Sequence, residues 1–109
     1  MNIVKDQFGT IIQPGDIIIY PTRQSSSLWM NVALVTEISE KQHNVYYEGK
    51  PYPILKVVRV GRRWGFESGD EFYKCKTTIE NITNVTVITK DMVVNSENDE
   101  HKKFVEICL

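Results

Sequence analysis

The stretch Gln13-Pro14-Gly15-Asp16-Ile17-Ile18-Ile19-Tyr20 decides the fold class. Proline pins φ at the second position of a turn and glycine accepts the positive φ of the third, so Pro14-Gly15 favours a type II turn. The run from Asp16 to Tyr20 then reads as a strong strand, because three successive β-branched isoleucines suit a pleated, half-buried surface. Pro21 closes this strand, and the polar, serine-rich residues 22–28 form a loop.

Outward from this stretch, short β-branched runs cut by Gly, Pro and Asn turns recur, as in barrels and sandwiches. Upstream, Ile3-Val4 starts a first strand, a turn follows around Asp6-Gln7-Phe8-Gly9, and Thr10-Ile11-Ile12 leads into the Pro-Gly turn. Downstream, residues 29–39 form the longest strand. Met30, Val32, Leu34 and Ile38 alternate on one face, interrupted by Thr36, and the other face is only partly polar. Residues 40–44 make a turn, Val45-Tyr46-Tyr47 a short strand, and residues 49–53 a loop. Residues 54–60 are a strand ended by Gly61, and residues 71–78 another, with Cys75 facing inward. Residues 85–89 and 92–94 are the last strands. The tail from Ser96 is a short helix: Ser96 with Asp99 three positions on makes a start like a capping box. Acidic residues lie early in this helix and Lys102 and Lys103 later, matching its dipole. Phe104, Val105, Ile107 and Leu109 would dock it, with an extended final strand as the competing arrangement.

The chain of 109 residues has the size of one domain, with a core barrel over about 1–89 and a tail over 90–109. Its 41% apolar and 25% charged residues are ordinary for a globular protein. The start lacks the basic and apolar regions of a secretory signal, and the apolar runs are far shorter than the roughly 20 residues of a membrane span. A cytoplasmic protein without membrane partners is the expectation. Two cysteines, Cys75 and Cys108, without a Cys-x-x-Cys motif do not make a disulfide framework or a structural zinc site. Cys75 reads as a buried strand residue and Cys108 as a tail thiol. A net charge of −1 argues against nonspecific coating of duplex DNA, whose affinity comes from neutralising phosphates, but permits a local basic pocket.

Residues 13–20, the polar loop after them, and Val32-Ala33-Leu34-Val35-Thr36-Glu37-Ile38 resemble the opening of SH3-like small barrels. In those folds a Pro-Gly-Asp turn commonly launches the first barrel strand and an alternating apolar strand follows. The resemblance covers roughly the first 60 residues and implies an all-β, SH3-like small barrel, here extended by C-terminal strands and a short C-terminal helix. In overall style the chain also resembles small proteins of tailed-phage genomes. That resemblance implies residence in the host cytoplasm and a sequestering or anti-defence role.

Catalysis lacks an inventory. His43 and His101 fall in a turn and a charged helix start, where a solvated surface histidine is the simplest reading. Neither phosphate-binding glycine fingerprint is present, and no nucleophile motif surrounds the serines. Asp70 and Glu71, adjacent on a strand, face opposite sides. No enzyme, cofactor or metal is expected.

Two loops offer binding chemistry instead. Residues 22–29 bring Arg23, Ser25 and Trp29; residues 59–66 bring Arg59, Arg62 and Arg63 beside Trp64. Guanidinium forks suit phosphate oxygens and aromatic faces suit bases. In an up-and-down meander both loops emerge at the same end of the sheet, provided the small strand at 45–47 is an excursion. Arg23, Arg62 and Arg63 would then meet phosphates, and Trp29 and Trp64 would stack on bases. Equally, an Arg-Arg-Trp turn closes off the end of a barrel by stacking on itself. The expected ligand is a nucleotide or a short single-stranded nucleic acid. The alternative is a protein-interaction module docking on a host or virion protein through Tyr46, Tyr47 and Tyr52. Self-association through sheet edges or the tail is a further expectation.

Overall fold

Strands β1 (Ile17–Gln24), β2 (Ser27–Gln42), β3 (Pro51–Arg63), β4 (Glu71–Ile79) and β5 (Thr86–Ile88) form one sheet in the order β4-β3-β2-β1-β5. Every pairing in it is antiparallel. A 3₁₀ turn at Ile82–Asn84 leads into β5, and helices α1 (Lys90–Val94) and α2 (Asp99–Cys108) complete the chain. This computed structural model describes residues 3–24, 27–42, 51–63 and 71–109, apart from the side chains of 23, 24, 27–29, 42, 62 and 63. The all-β class and the C-terminal helix hold. The expected barrel is not closed: among the described residues β4 and β5 are the edges of an open sheet and no ladder joins them.

Alternation along the strands sends apolar side chains to both faces, so the sheet is a middle layer. Ile18, Ala33, Val35, Leu55 and Val57 face one side, where Val4, Ile12, Ile79 and Val85 complete a first core. Ile17, Val32 and Val58 face the other, under Val93, Phe104 and Cys108 of the helices. The triple isoleucine therefore serves both layers, as continuous apolar runs do in strands covered on two sides.

Thr36 changes which residues share a face. Val35 pairs with Val57 but Glu37 pairs with Lys56, so Thr36 is the extra residue of a β-bulge. Its hydroxyl donates to the Lys56 carbonyl at 3.0 Å. The one-residue slip inverts the alternation, and Ile38 packs on the first core with Val35 rather than on the second with Val32 and Leu34.

Several boundaries differ from the sequence reading. Pro21 does not end β1, which continues to Gln24 and pairs with β2 back to Ser27. Partner strand β5 reaches only Ile19, so beyond it β1 is an edge where a missing N–H is tolerated. Residues 40–42 and 51–53 belong to strands, and β3 passes through Gly61 to Arg63. Ile3-Val4 and residues 10–12 make a single bridge, Lys5 to Ile11, rather than strands. Residues 92–94 are in a helix, not a strand: the Thr89 hydroxyl accepts the Met92 N–H at 3.3 Å and caps α1. Helix α2 starts at Asp99, capped by Asn98, whose side chain accepts the Glu100 N–H at 2.9 Å. The Ser96 hydroxyl instead pairs with His101 Nδ1 at 2.7 Å, so this histidine is a half-buried structural partner rather than a solvated one. Cys108 is a buried docking residue, not a tail thiol, and Cys75 is half-buried.

The N-terminal segment is held by one carboxylate. Asp6 is only 7% exposed, yet its Oδ1 accepts the N–H groups of Phe8 (2.9 Å) and Thr10 (2.8 Å), and its Oδ2 accepts that of Val87 (2.8 Å). The Gln7 N–H adds a bond to the Val85 carbonyl at 3.0 Å. Together they clamp the start of the chain onto β5. Desolvation alone would raise the Asp6 pKa, but the N–H groups of Val87, Thr10, Phe8 and Gly9 together hold it below the ordinary 3.8.

Replacing Asp6 by Ala removes the acceptor of three part-buried N–H groups and should cost about 1–3 kcal/mol in urea unfolding. Because the folded pKa lies below the unfolded one, the carboxylate's contribution is present above pH about 4 and is lost as pH falls through the folded value. Asp6→Asn should remove that part of the acid dependence.

Candidate functional site

Strands β1 and β3 run in one direction and β2 and β4 in the other, so the end of β1, the start of β2, the end of β3 and the start of β4 share one end of the sheet. Pairing of β2 with β3 continues to Gln42–Pro51, so the two are antiparallel neighbours in sequence and in space; the short strand expected at 45–47 lies outside the described residues. At the shared end, Arg23 lies opposite Leu28, Trp29 opposite Thr22, Arg62 opposite Phe72 and Arg63 opposite Glu71. These four residues are in strands rather than loops. Ser25, Trp64, Tyr46 and Tyr47 lie outside the described residues. Tyr52 is 8% exposed and opposite Lys41, so its ring is packed away instead of being offered to a partner.

The face of the first core changes character toward this end. Tyr20 pairs with Asn31, Ala33 with Arg59, Arg59 with Cys75 and Gly61 with Tyr73, and side chains of paired residues share a face. Beyond the apolar positions Ile18, Ala33 and Val57, the same surface therefore carries Tyr20, Thr22, Asn31, Arg59, Tyr73 and Cys75. All except Tyr73 are half-buried. The Asn31 amide donates to the Thr22 hydroxyl, and Arg59 Nη1 donates to the Val60 carbonyl at 3.3 Å.

The Tyr20 phenol rests partly on the first core. Burial pushes its pKa above the ordinary 10.0, the Arg59 charge pulls it down and Cys75 pushes it up, with a net rise. At neutral pH it is an uncharged donor next to a cation. Tyr73 lies against the bare Cα of Gly61: a Cβ there would come within 2.6 Å of its ring Cε2. Glycine inside a strand thus lets an aromatic ring approach the backbone closely.

The group combines a guanidinium, a neutral phenol, a carboxamide and a second tyrosine ring. Oxyanion binding and stacking are within that chemistry. Among the described residues the one histidine, His101, belongs to α2, which packs over the opposite face; His43 lies outside the described residues. Among the described residues no three His, Cys, Asp or Glu gather as metal ligands. Sequence reasoning passed over Tyr20, Asn31, Tyr73 and Cys75 and used Arg59 only as a loop cation. The signal was a lone charge inside the apolar run Val57-Val58-Arg59-Val60.

Residues 4–74 match the family model of DUF7205, a domain of unknown function, and the chain belongs to that family. The match takes in β1, β2 and β3 and every member of the Tyr20–Arg59 group except Cys75. No curated protein and no solved structure matches the chain.

Replacing Arg59 by Met should raise the Tyr20 pKa further, because the neighbouring positive charge is lost; ring-proton shifts of Tyr20 across alkaline pH measure it. Gly61→Ala should leave the protein folded but push the exposed Tyr73 ring aside, a displacement visible in its ring-proton shifts, with a stability change within about 1 kcal/mol.

Proposed function

We propose that this DUF7205 domain is a non-enzymatic binder of a phosphate-bearing ligand, a nucleotide or a short single strand, at the Arg59 end of its first-core face. The observation that carries the reading is the half-buried Arg59 beside the neutral Tyr20, with Arg63 at a register position of the same face; Arg23 and Arg62 stand at the same sheet end, at register positions of the opposite face. A guanidinium held partly out of water binds a phosphate oxygen more strongly than one in bulk solvent. Tyr73 supplies an aromatic face on the same surface. A net charge of −1 suits a discrete ligand better than a long duplex. Binding without turnover suits sequestration, including the anti-defence role that the likeness to phage proteins implies.

Thermal unfolding against mono-, di- and cyclic nucleotides and short oligonucleotides tests the reading. A ligand of the native state at one hundred times its Kd adds about 2.7 kcal/mol and raises the melting temperature by several degrees. Arg59→Ala and Arg63→Ala should each reduce the shift, and the ligand should be recovered chemically unchanged. A flat panel, or a shift indifferent to both substitutions, overturns it.

A further inference from the structure

The two edges of the sheet are treated differently. Along β5 the outer side is occupied: Asp6 takes the Val87 N–H and Gln7 bonds the Val85 carbonyl. Along β4 no described strand pairs with the outer side, although its nine residues hold an unbroken register with β3 and contain no proline. A strand paired on one side turns alternate N–H and C=O groups outward, ready for another chain.

The side chains of this edge are basic on one face. Lys74 and Lys76, two positions apart and both exposed, stand opposite Val60 and Val58. With Lys56, Thr36, Glu37 and Thr78 they border a depression of about 430 Å³. Lys56 is already engaged by Glu37 at 3.3 Å, whereas Lys74 and Lys76 meet no carboxylate among the described residues. A second copy pairing antiparallel about Cys75 would set each Lys74 against the partner's Lys76, and like charges directly opposite are destabilising.

We propose that β4 accepts an extended acidic peptide segment as a sixth strand, with carboxylates at alternate positions meeting Lys74 and Lys76. Main-chain hydrogen bonds to the edge supply affinity, and the period of two puts both carboxylates on the lysine face. The lysine face lies on the other side of the sheet from Tyr20, Asn31 and Arg59; Tyr73 and Cys75 of that group are in β4 but alternate away from Lys74 and Lys76.

A fluorescent ten-residue peptide alternating aspartate and valine tests the proposal on the full chain. It should bind with an affinity that falls as salt rises, and binding should slow amide exchange along β4. Lys74→Glu with Lys76→Glu should weaken it about tenfold and favour the same peptide with lysine in place of aspartate. Arg59→Ala should leave it unaffected, so this proposal and the ligand site fail independently. Absence of binding to the unaltered protein, binding without slower exchange in β4, or equal affinity for the charge-reversed variant overturns the proposal. So does a concentration-dependent dimer that protects β4, which assigns the edge to a second copy. Displacement of the peptide by oligothymidylate, with β4 exchange left fast, assigns the lysines to nucleic acid and overturns it equally.

Discussion

The Asp6 carboxylate joins two parts of the chain that are 81 positions apart, and the closure of the first core depends on it. Strand β5 has three residues and pairs with β1 alone, too little ladder to hold an edge by itself. The N-terminal segment has a single bridge and no strand. Each becomes ordered because Asp6 takes N–H groups from both, and Val4, Ile12 and Val85 are buried in the same core as a result. A charge this far out of water is tolerable only because it is hydrogen-bonded on both oxygens. The same contact occupies the outer side of β5, so a device for cohesion also prevents pairing there.

Burial on both faces is the second constraint. Helix α2 brings Phe104 and Cys108 onto the face opposite the N-terminal segment, leaving little of the sheet's middle for polar residues. Fully burying such a side chain contributes about 1.5–3 kcal/mol, so these positions tolerate little change. The Thr36 bulge allows a long β2 to serve both layers by exchanging its faces partway along. Polar residues are displaced to the periphery: Tyr20, Asn31 and Arg59 toward one end of the first-core face, and Lys74 and Lys76 along the β4 edge.

These two peripheral groups differ in chemistry as well as position. One is compact, half-buried and mixed, with a neutral phenol beside a cation, which fits a small ligand with an oxyanion and a flat ring. The other is linear and exposed, with Lys74 and Lys76 at alternate positions of an open edge, which suits the proposed extended chain. Membership of DUF7205 covers the three long strands through residue 63 and the first part of β4. The helical layer lies outside the matched residues, so the second face is covered by a part of the chain beyond them.

Fold class was legible because it rests on local chemistry. Pro14-Gly15 turns the chain, Gly15 taking φ of +96, and β-branched runs favour strands whatever lies around them. The tail helix and its apolar face were legible for the same reason. Partners across space were not. Pro21 inside a strand is acceptable only because β5 stops short, and residues 92–94, good strand formers by composition, are helical where the Thr89 cap and the second core favour it. Arg59 was readable as a cation, but its neighbour Tyr20 lies 39 residues away and meets it only through two strand pairings. The sequence by itself determined which segments extend, where they turn and which side chains need burial. Only the tertiary structure decided which strands are edges, which face each residue takes past Thr36 and which polar groups meet, because register and long-range hydrogen bonds such as those of Asp6 are properties of paired segments, not of single ones.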